Sequence, residues 1–358
     1  MNRSNLTTIV SLILTLVGCG KGASSGGEPT PAPSQPQFAY VLNTGDDTIS
    51  QLSLSSSGQL TPLAVKTVAT GAYPRSMVMD KVRNTLYVAN MADDSISQYS
   101  MAPEGDLKPI APPVAGGASP YNLTLSPDGR FVYAMNIMGS IGQYAVGAGG
   151  ELSLAATTAH EEMPVSMIFA PSGHYAYVVN MASTDVSQFS VGTDGSLSPL
   201  TPATVPSLGC PSGPVSANKN ADGSETILVL SCATSEIEVY KVGHDGTLTS
   251  QQIVNTGLLP AGMQISGSNV YVANAGESSV SMFAIQANGN LQALAQPTIV
   301  AGMMPETLAV DGDGKYVYVL DLGLDKILKF SIAFDGQLVP SADAPVNTGS
   351  YPTQIIVR

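Results

Sequence analysis

Apolar and polar residues alternate along this chain in short bursts, and outside the first eighteen residues no stretch keeps a helical rhythm. The segment from Pro74 to Leu107 shows the pattern most cleanly. Met77-Val78-Met79 predicts a strand, and Asp80 to Asn84 a turn. Leu86-Tyr87-Val88-Ala89 is β-branched and aromatic, as strands prefer. Asn90 to Ser95 turns again, Ile96 to Met101 makes a third strand, and a fourth follows Gly105. This unit recurs seven times. Its prolines are Pro74, Pro120, Pro164, Pro214, Pro260, Pro305 and Pro352, spaced 46, 44, 50, 46, 45 and 47 residues apart. A second marker keeps the same period: Gly58, Gly105, Gly150, Gly195, Gly246, Gly289 and Gly336, each followed two residues later by Leu.

A four-strand unit of this period is the signature of a β-propeller blade. The chain is therefore expected to be all-β, with a seven-bladed propeller over residues 38–358. Phe38 to Val41 matches a second strand, so blade one lacks its first. Tyr351 to Val357 is expected to supply it, closing the ring and removing exposed edges. In an antiparallel meander the start of strand one, at each proline, lies beside the end of strand two. Those positions define one face, called the top below.

Residues 1–18 carry Arg3, then an apolar core from Leu6 to Val17, which predicts a secretory signal. The core ends Leu16-Val17-Gly18-Cys19, resembling a bacterial lipoprotein processing site. That resemblance implies lipidation of Cys19 and a membrane anchor. Residues 19–37 then read as lipidated cysteine and flexible linker, rich in Gly, Ser and Pro. Gly20 after the cysteine favours the outer membrane over the inner.

Composition narrows the function classes. Only 11% of residues are charged and the net charge is −13, which argues against nucleic-acid binding. There are 36 Gly, 25 Pro and no Trp, so a WD-type propeller is disfavoured. Cys210 and Cys232 fall at the top of blade five and are expected to form a disulfide, as exported proteins can. No metal or other cofactor is expected: Asp311-Gly312-Asp313-Gly314 lacks the later Glu of a calcium loop and reads as a bottom-face turn. A monomer is expected.

Two residues after each proline stand Ser76, Asn122, Ser166, Ser216, Gly262, Thr307 and Gln354, a small polar set expected to face the central channel. None titrates near neutrality. Directly after the prolines, Arg75, Tyr121 and Glu306 are further ligand-binding candidates, beside Asn122 and Gln354. Arg75 suits a carboxylate or a polarised carbonyl. His160-Glu161-Glu162 occupies a top loop, so His160 and Glu161 are candidates for general-base work. His174 and His244 fall in bottom turns. The recurrent strand-ending Asn43, Asn90, Asn136, Asn180 and Asn274 read as turn caps. Acidic residues crowd the top loops, among them Asp46, Asp47, Asp93, Asp94 and Asp325, and would repel phosphorylated anions.

From Phe38 to Arg358 the chain resembles the seven-bladed lactonase-like propellers, which include the 6-phosphogluconolactonase type and the Tyr-Val-Thr-Asn repeat proteins. The residues carrying this are Ser126-Pro127-Asp128-Gly129-Arg130, Tyr271-Val272-Ala273-Asn274, Asp321-Leu322-Gly323-Leu324-Asp325 and Gly71-Ala72-Tyr73-Pro74-Arg75. The resemblance implies lactone hydrolysis, with His after a Pro-Arg pair and Glu after the strand-ending Asn. Here Arg75 is followed by Ser76, and Asn90, Asn136 and Asn180 by Met91, Ile137 and Met181. The leading expectation is therefore an envelope module that binds a small polar ligand or a protein at its top face without turning it over. The enzyme alternative is a lactonase acting on a neutral lactone through Arg75 with His160 or a carboxylate. A passive structural protein is the third.

Overall fold

The computed structural model describes residues 37–160, 163–209 and 215–358. These residues hold 29 strands and no helix. They form seven antiparallel sheets, six of four strands and one of five. The Pro74 blade runs Pro74–Asp80, Thr85–Asn90, Ser95–Met101 and Leu107–Ala115 from channel to periphery, as the pattern predicts. Blade one is closed by Pro352–Val357, which pairs with Gln37–Asn43 in the register Ala39↔Val357 to Asn43↔Pro352. Blades two to seven follow in chain order from Pro74 to Pro305. Gln37 lies at the bottom of blade one, near Gly312 of a bottom turn in blade seven.

The core is divided among seven clusters, each between two adjacent blades. In one, Tyr40 and Leu42 of blade one pack against Met77, Leu86 and Val88 of blade two. The Gly-x-Leu marker is the joint that fixes neighbouring blades. The second-strand tyrosine of one blade donates to the carbonyl of the next blade's turn glycine: Tyr40 to Gly105 (2.6 Å), Tyr87 to Gly150 (2.7 Å), Tyr177 to Gly246 (2.7 Å) and Tyr271 to Gly336 (2.8 Å). Tyr318 of blade seven closes the circle on Gly58 of blade one (2.9 Å). A third-strand glutamine then accepts from the marker leucine, as Gln51 does from the Leu107 amide and Gln98 from Leu152.

These glycines serve two needs at once. All seven have φ between 74° and 94°. A Cβ on Gly105 would also strike the Phe38 ring, so the close approach of blades forbids any side chain. Blade five is the exception in the ring. Leu228 stands where the other blades have tyrosine, so no such hydroxyl reaches Gly289. Its inner strand is also the shortest, Val215–Lys219.

The strand-ending asparagines are structural. Asn43, Asn90 and Asn274 donate to hydroxyls of the third strand, such as Ser97 at 2.9 Å from Asn90. Their carbonyls accept from loop glycines, as Asn90 does from Gly71 (3.1 Å). Asp311 likewise caps its bottom turn, accepting from the Lys315 and Tyr316 amides at 2.7 Å each.

Candidate functional site

A cavity of about 140 Å³ opens at the top of the central channel. Six of the seven residues expected to face the channel line it: Ser76, Asn122, Ser166, Gly262, Thr307 and Gln354. The residues directly after the prolines line it too, among them Arg75, Tyr121 and Glu306. Simple alternation would send these to the opposite side. A register slip explains the difference. Between Pro74 and Ser76 the inner strand gains one residue over its partner, and the same bulge recurs at Pro120/Asn122, Pro164/Ser166, Pro260/Gly262 and Pro305/Thr307. A bulge puts two residues opposite one and re-aims the extra side chain. Six blades thereby present two successive positions to the cavity.

The charged members sit on either side of blade one. Arg75 donates from Nη2 to the Tyr121 hydroxyl at 3.0 Å, with its guanidinium 5.0 Å from the Tyr121 ring centroid. Burial disfavours the guanidinium charge, but the Tyr121 hydroxyl and the Glu306 carboxylate outweigh it and hold Arg75 above its ordinary pKa. Glu306 is half-buried. Burial pushes its carboxyl above the usual range, and the Arg75 charge opposes this only in part. The four ion pairs among the described residues join Arg83–Asp80, Arg130–Asp128, Lys315–Asp313 and Lys329–Asp343. Glu306 and Arg75 thus share a cavity and a field without a direct ion pair. Gly262 lets the inner strands of blades six and seven approach closely: a Cβ there would lie 2.5 Å from the Glu306 carbonyl oxygen.

Other candidates have structural duties. Gln354 donates to the Met77 carbonyl (3.0 Å) and accepts from the Met77 amide (2.6 Å), stitching blade one to blade two. Ser76 accepts from the Leu123 amide at 3.2 Å, continuing the stitch to blade three. Asn122 is engaged only by Thr124, at 3.5 Å, and remains available in the cavity wall. His160 does not line the cavity. Its Nε2 is 2.7 Å from the Asn180 Oδ1 and its ring lies 6.1 Å from Phe189. It fills, in blade four, the capping role that Gly71 plays in blade two. Glu161, Cys19 and Cys210 lie outside the described residues. Cys232 is half-buried.

His174 and His244 are exposed and border a wider bottom cavity of about 690 Å³ with Asp222 and Lys241. The Asp222 carboxylate there accepts from Ser224 (2.6 Å), and Asp222 and Lys241 are exposed. The acidic rim is likewise built into the backbone. Asp47 accepts from the Tyr73 amide (2.8 Å), Asp94 from Ser119 (2.7 Å), Asp46 from Ser350 (2.6 Å) and Asp325 from Tyr351 (3.0 Å). Asp47, Asp94 and Asp325 tie the loop entering the next blade, and Asp46 the loop entering its own.

This seven-bladed architecture with its polar channel mouth matches a known family. Residues 32–121 and 106–211, together half of the chain, match the family described as lactonase, 7-bladed beta-propeller. The chain belongs to that family. Among solved structures, a Bacteroides fragilis protein assigned as a 6-phosphogluconolactonase has TM-score 0.78 and 18% identity, covering 92% of this chain and 99% of that one. The periplasmic gluconolactonase of Pseudomonas aeruginosa has TM-score 0.78 and 20% identity, covering 90% and 98%. A protein from Lactobacillus plantarum has TM-score 0.76 and 20% identity, covering 90% and 99%. At such identities the likeness concerns the fold. No curated protein matches the chain.

Proposed function

We propose that the protein hydrolyses small uncharged lactones at the channel mouth, held outside the cytoplasm by lipid on Cys19. One observation carries the catalytic part: Arg75 and the half-buried Glu306, its carboxyl raised by burial, line one cavity without neutralising each other in an ion pair. Such a carboxylate is a suitable general base. Glu306 would take a proton from a water as that water adds to the lactone carbonyl carbon. Arg75, oriented by Tyr121, would stabilise the oxyanion that forms. Collapse breaks the ring carbon–oxygen bond, and the departing ring oxygen takes the proton back from Glu306. The product is an open hydroxy acid. The acidic rim favours neutral substrates over phosphorylated ones.

A second reading keeps the same ligand without turnover. It is favoured by the absence of histidine among the described lining residues. Acid release from glucono-1,5-lactone and δ-valerolactone, followed by pH-stat with the purified protein, separates the two. Rates above the spontaneous background support hydrolysis, and background rates leave the binding module. Lipidation has its own test: Cys19→Ser should move the protein from the membrane fraction to the soluble one. A wild type already soluble contradicts the anchor.

A further inference from the structure

Resting on the lactonase reading, we infer that the preferred ligand is an amphiphile: a lactone ring carrying an apolar alkyl or acyl arm. In six blades the residue before the inner-strand proline stands two positions ahead of the first cavity-lining residue. In five blades it is large and apolar, and exposed: Tyr73 46%, Met163 38%, Leu259 58%, Met304 43% and Tyr351 48%. Its backbone is locked. Tyr73, Met163, Leu259 and Tyr351 have φ of 52°, 49°, 47° and 53°, a region that bulky residues rarely adopt. Their carbonyls accept from the loops after strand two, as Tyr73 does from the Met91 amide (3.0 Å) and Leu259 from Ala275 (3.0 Å). The Asp47 and Asp325 carboxylates hold the Tyr73 and Tyr351 amides from the other side. Ser119 in blade three shares this backbone at φ 56°, so the turn belongs to the repeat, whereas the exposed apolar side chains on it are particular to five blades. A soluble surface scatters such residues, and a ring of them marks a binding site.

The floor beneath decides the occupant. Arg75 and Glu306 are half-buried there, so a broad protein surface seated on the crown would cover both without reaching them. A ligand with a polar head meets both demands. About 140 Å³ suits one small ring, since a cavity of about 150 Å³ holds benzene. An arm longer than the ring must leave the cavity across the crown.

Isothermal titration of the full-length protein with δ-valerolactone, δ-octalactone, δ-decalactone and glucono-1,5-lactone tests this, with hydrolysis recorded on the same samples. The dissociation constant should fall about twofold per added methylene, half the effect of complete burial. The paired change Met163→Ser with Leu259→Ser should flatten that slope while the melting temperature stays within a few degrees. A wild-type series with no chain-length trend, or tighter binding of glucono-1,5-lactone than of δ-decalactone, overturns the inference and leaves the crown to a macromolecular partner. A chain-length trend without turnover upholds the ligand class and removes the lactonase reading. Turnover without the trend does the reverse.

Discussion

The joints between blades and the mouth of the channel are built from the same repeat, yet they use it in opposite ways. At the joints every copy supplies a turn glycine and a leucine two positions on, and every blade but the fifth supplies a tyrosine to the next. After the prolines the copies differ. The positions after the prolines read Arg75, Tyr121, Val165, Val215, Ala261, Glu306 and Thr353. Identity across copies reports the demands of closure, which every blade shares. Difference across copies reports the ligand, which meets the ring from one side only.

Breaking closure should have the largest effect. Deleting Pro352 to Arg358 removes the inner strand of blade one and exposes the edge of Gln37–Asn43. Cooperative thermal unfolding should vanish; an unchanged melting curve would show that the strand is dispensable. At the mouth, Glu306→Gln should lower kcat for lactone hydrolysis about 10²–10³-fold while the protein stays folded. At a joint, Gly105→Ala must bear both the positive φ and the clash with Phe38. The cost is about 3 kcal/mol, roughly 6–12 °C of melting temperature, with ligand affinity unaltered in the surviving fold. Tyr87→Phe leaves the Gly150 carbonyl without its donor and should cost about 1–2 kcal/mol by urea unfolding.

A pH series sharpens the contrast further. Burial raises the Glu306 carboxyl, so the folded protein binds that proton more tightly than the unfolded chain. The contribution to stability is whole below the ordinary carboxylate pKa. It declines as pH climbs from there through the raised value. Glu306→Gln should remove this decline, and a wild type and variant with parallel stability–pH curves would place the group in water. The smallest effect concerns blade five, which lacks the tyrosine clamp. The expected Cys210–Cys232 bond should shield both thiols from reagent until reduction; labelling of the unreduced protein would exclude it.

How much could be read from the chain follows the same division. The blades and the closing strand were legible because prolines, glycines and leucines recur at fixed spacing. The six described polar positions that line the channel were legible because strand alternation has a fixed period. The importance of the neighbouring positions was only half legible. Arg75, Tyr121 and Glu306 stand out by residue type, but alternation alone turns them away from the channel. The bulge that brings them in depends on pairing with the second strand, and no single segment encodes it. The recurrent Pro-x-polar pattern is the one local trace of it. His160 stands apart from the mouth for a related reason. Its residue type suggests chemistry, whereas its distance to Asn180 is set by a loop whose equivalent in blade two uses a glycine amide. The crown at the lip left its own trace, since a large apolar residue precedes most of the prolines.

The claim that the unrepeated mouth residues form a lactone site is tested most directly by kcat/KM for δ-decalactone in wild type and Glu306→Gln, measured side by side. A measurable wild-type value that falls at least a hundredfold in the variant is what the geometry predicts. Wild-type hydrolysis at the spontaneous rate, or equal values in the two proteins, would contradict it.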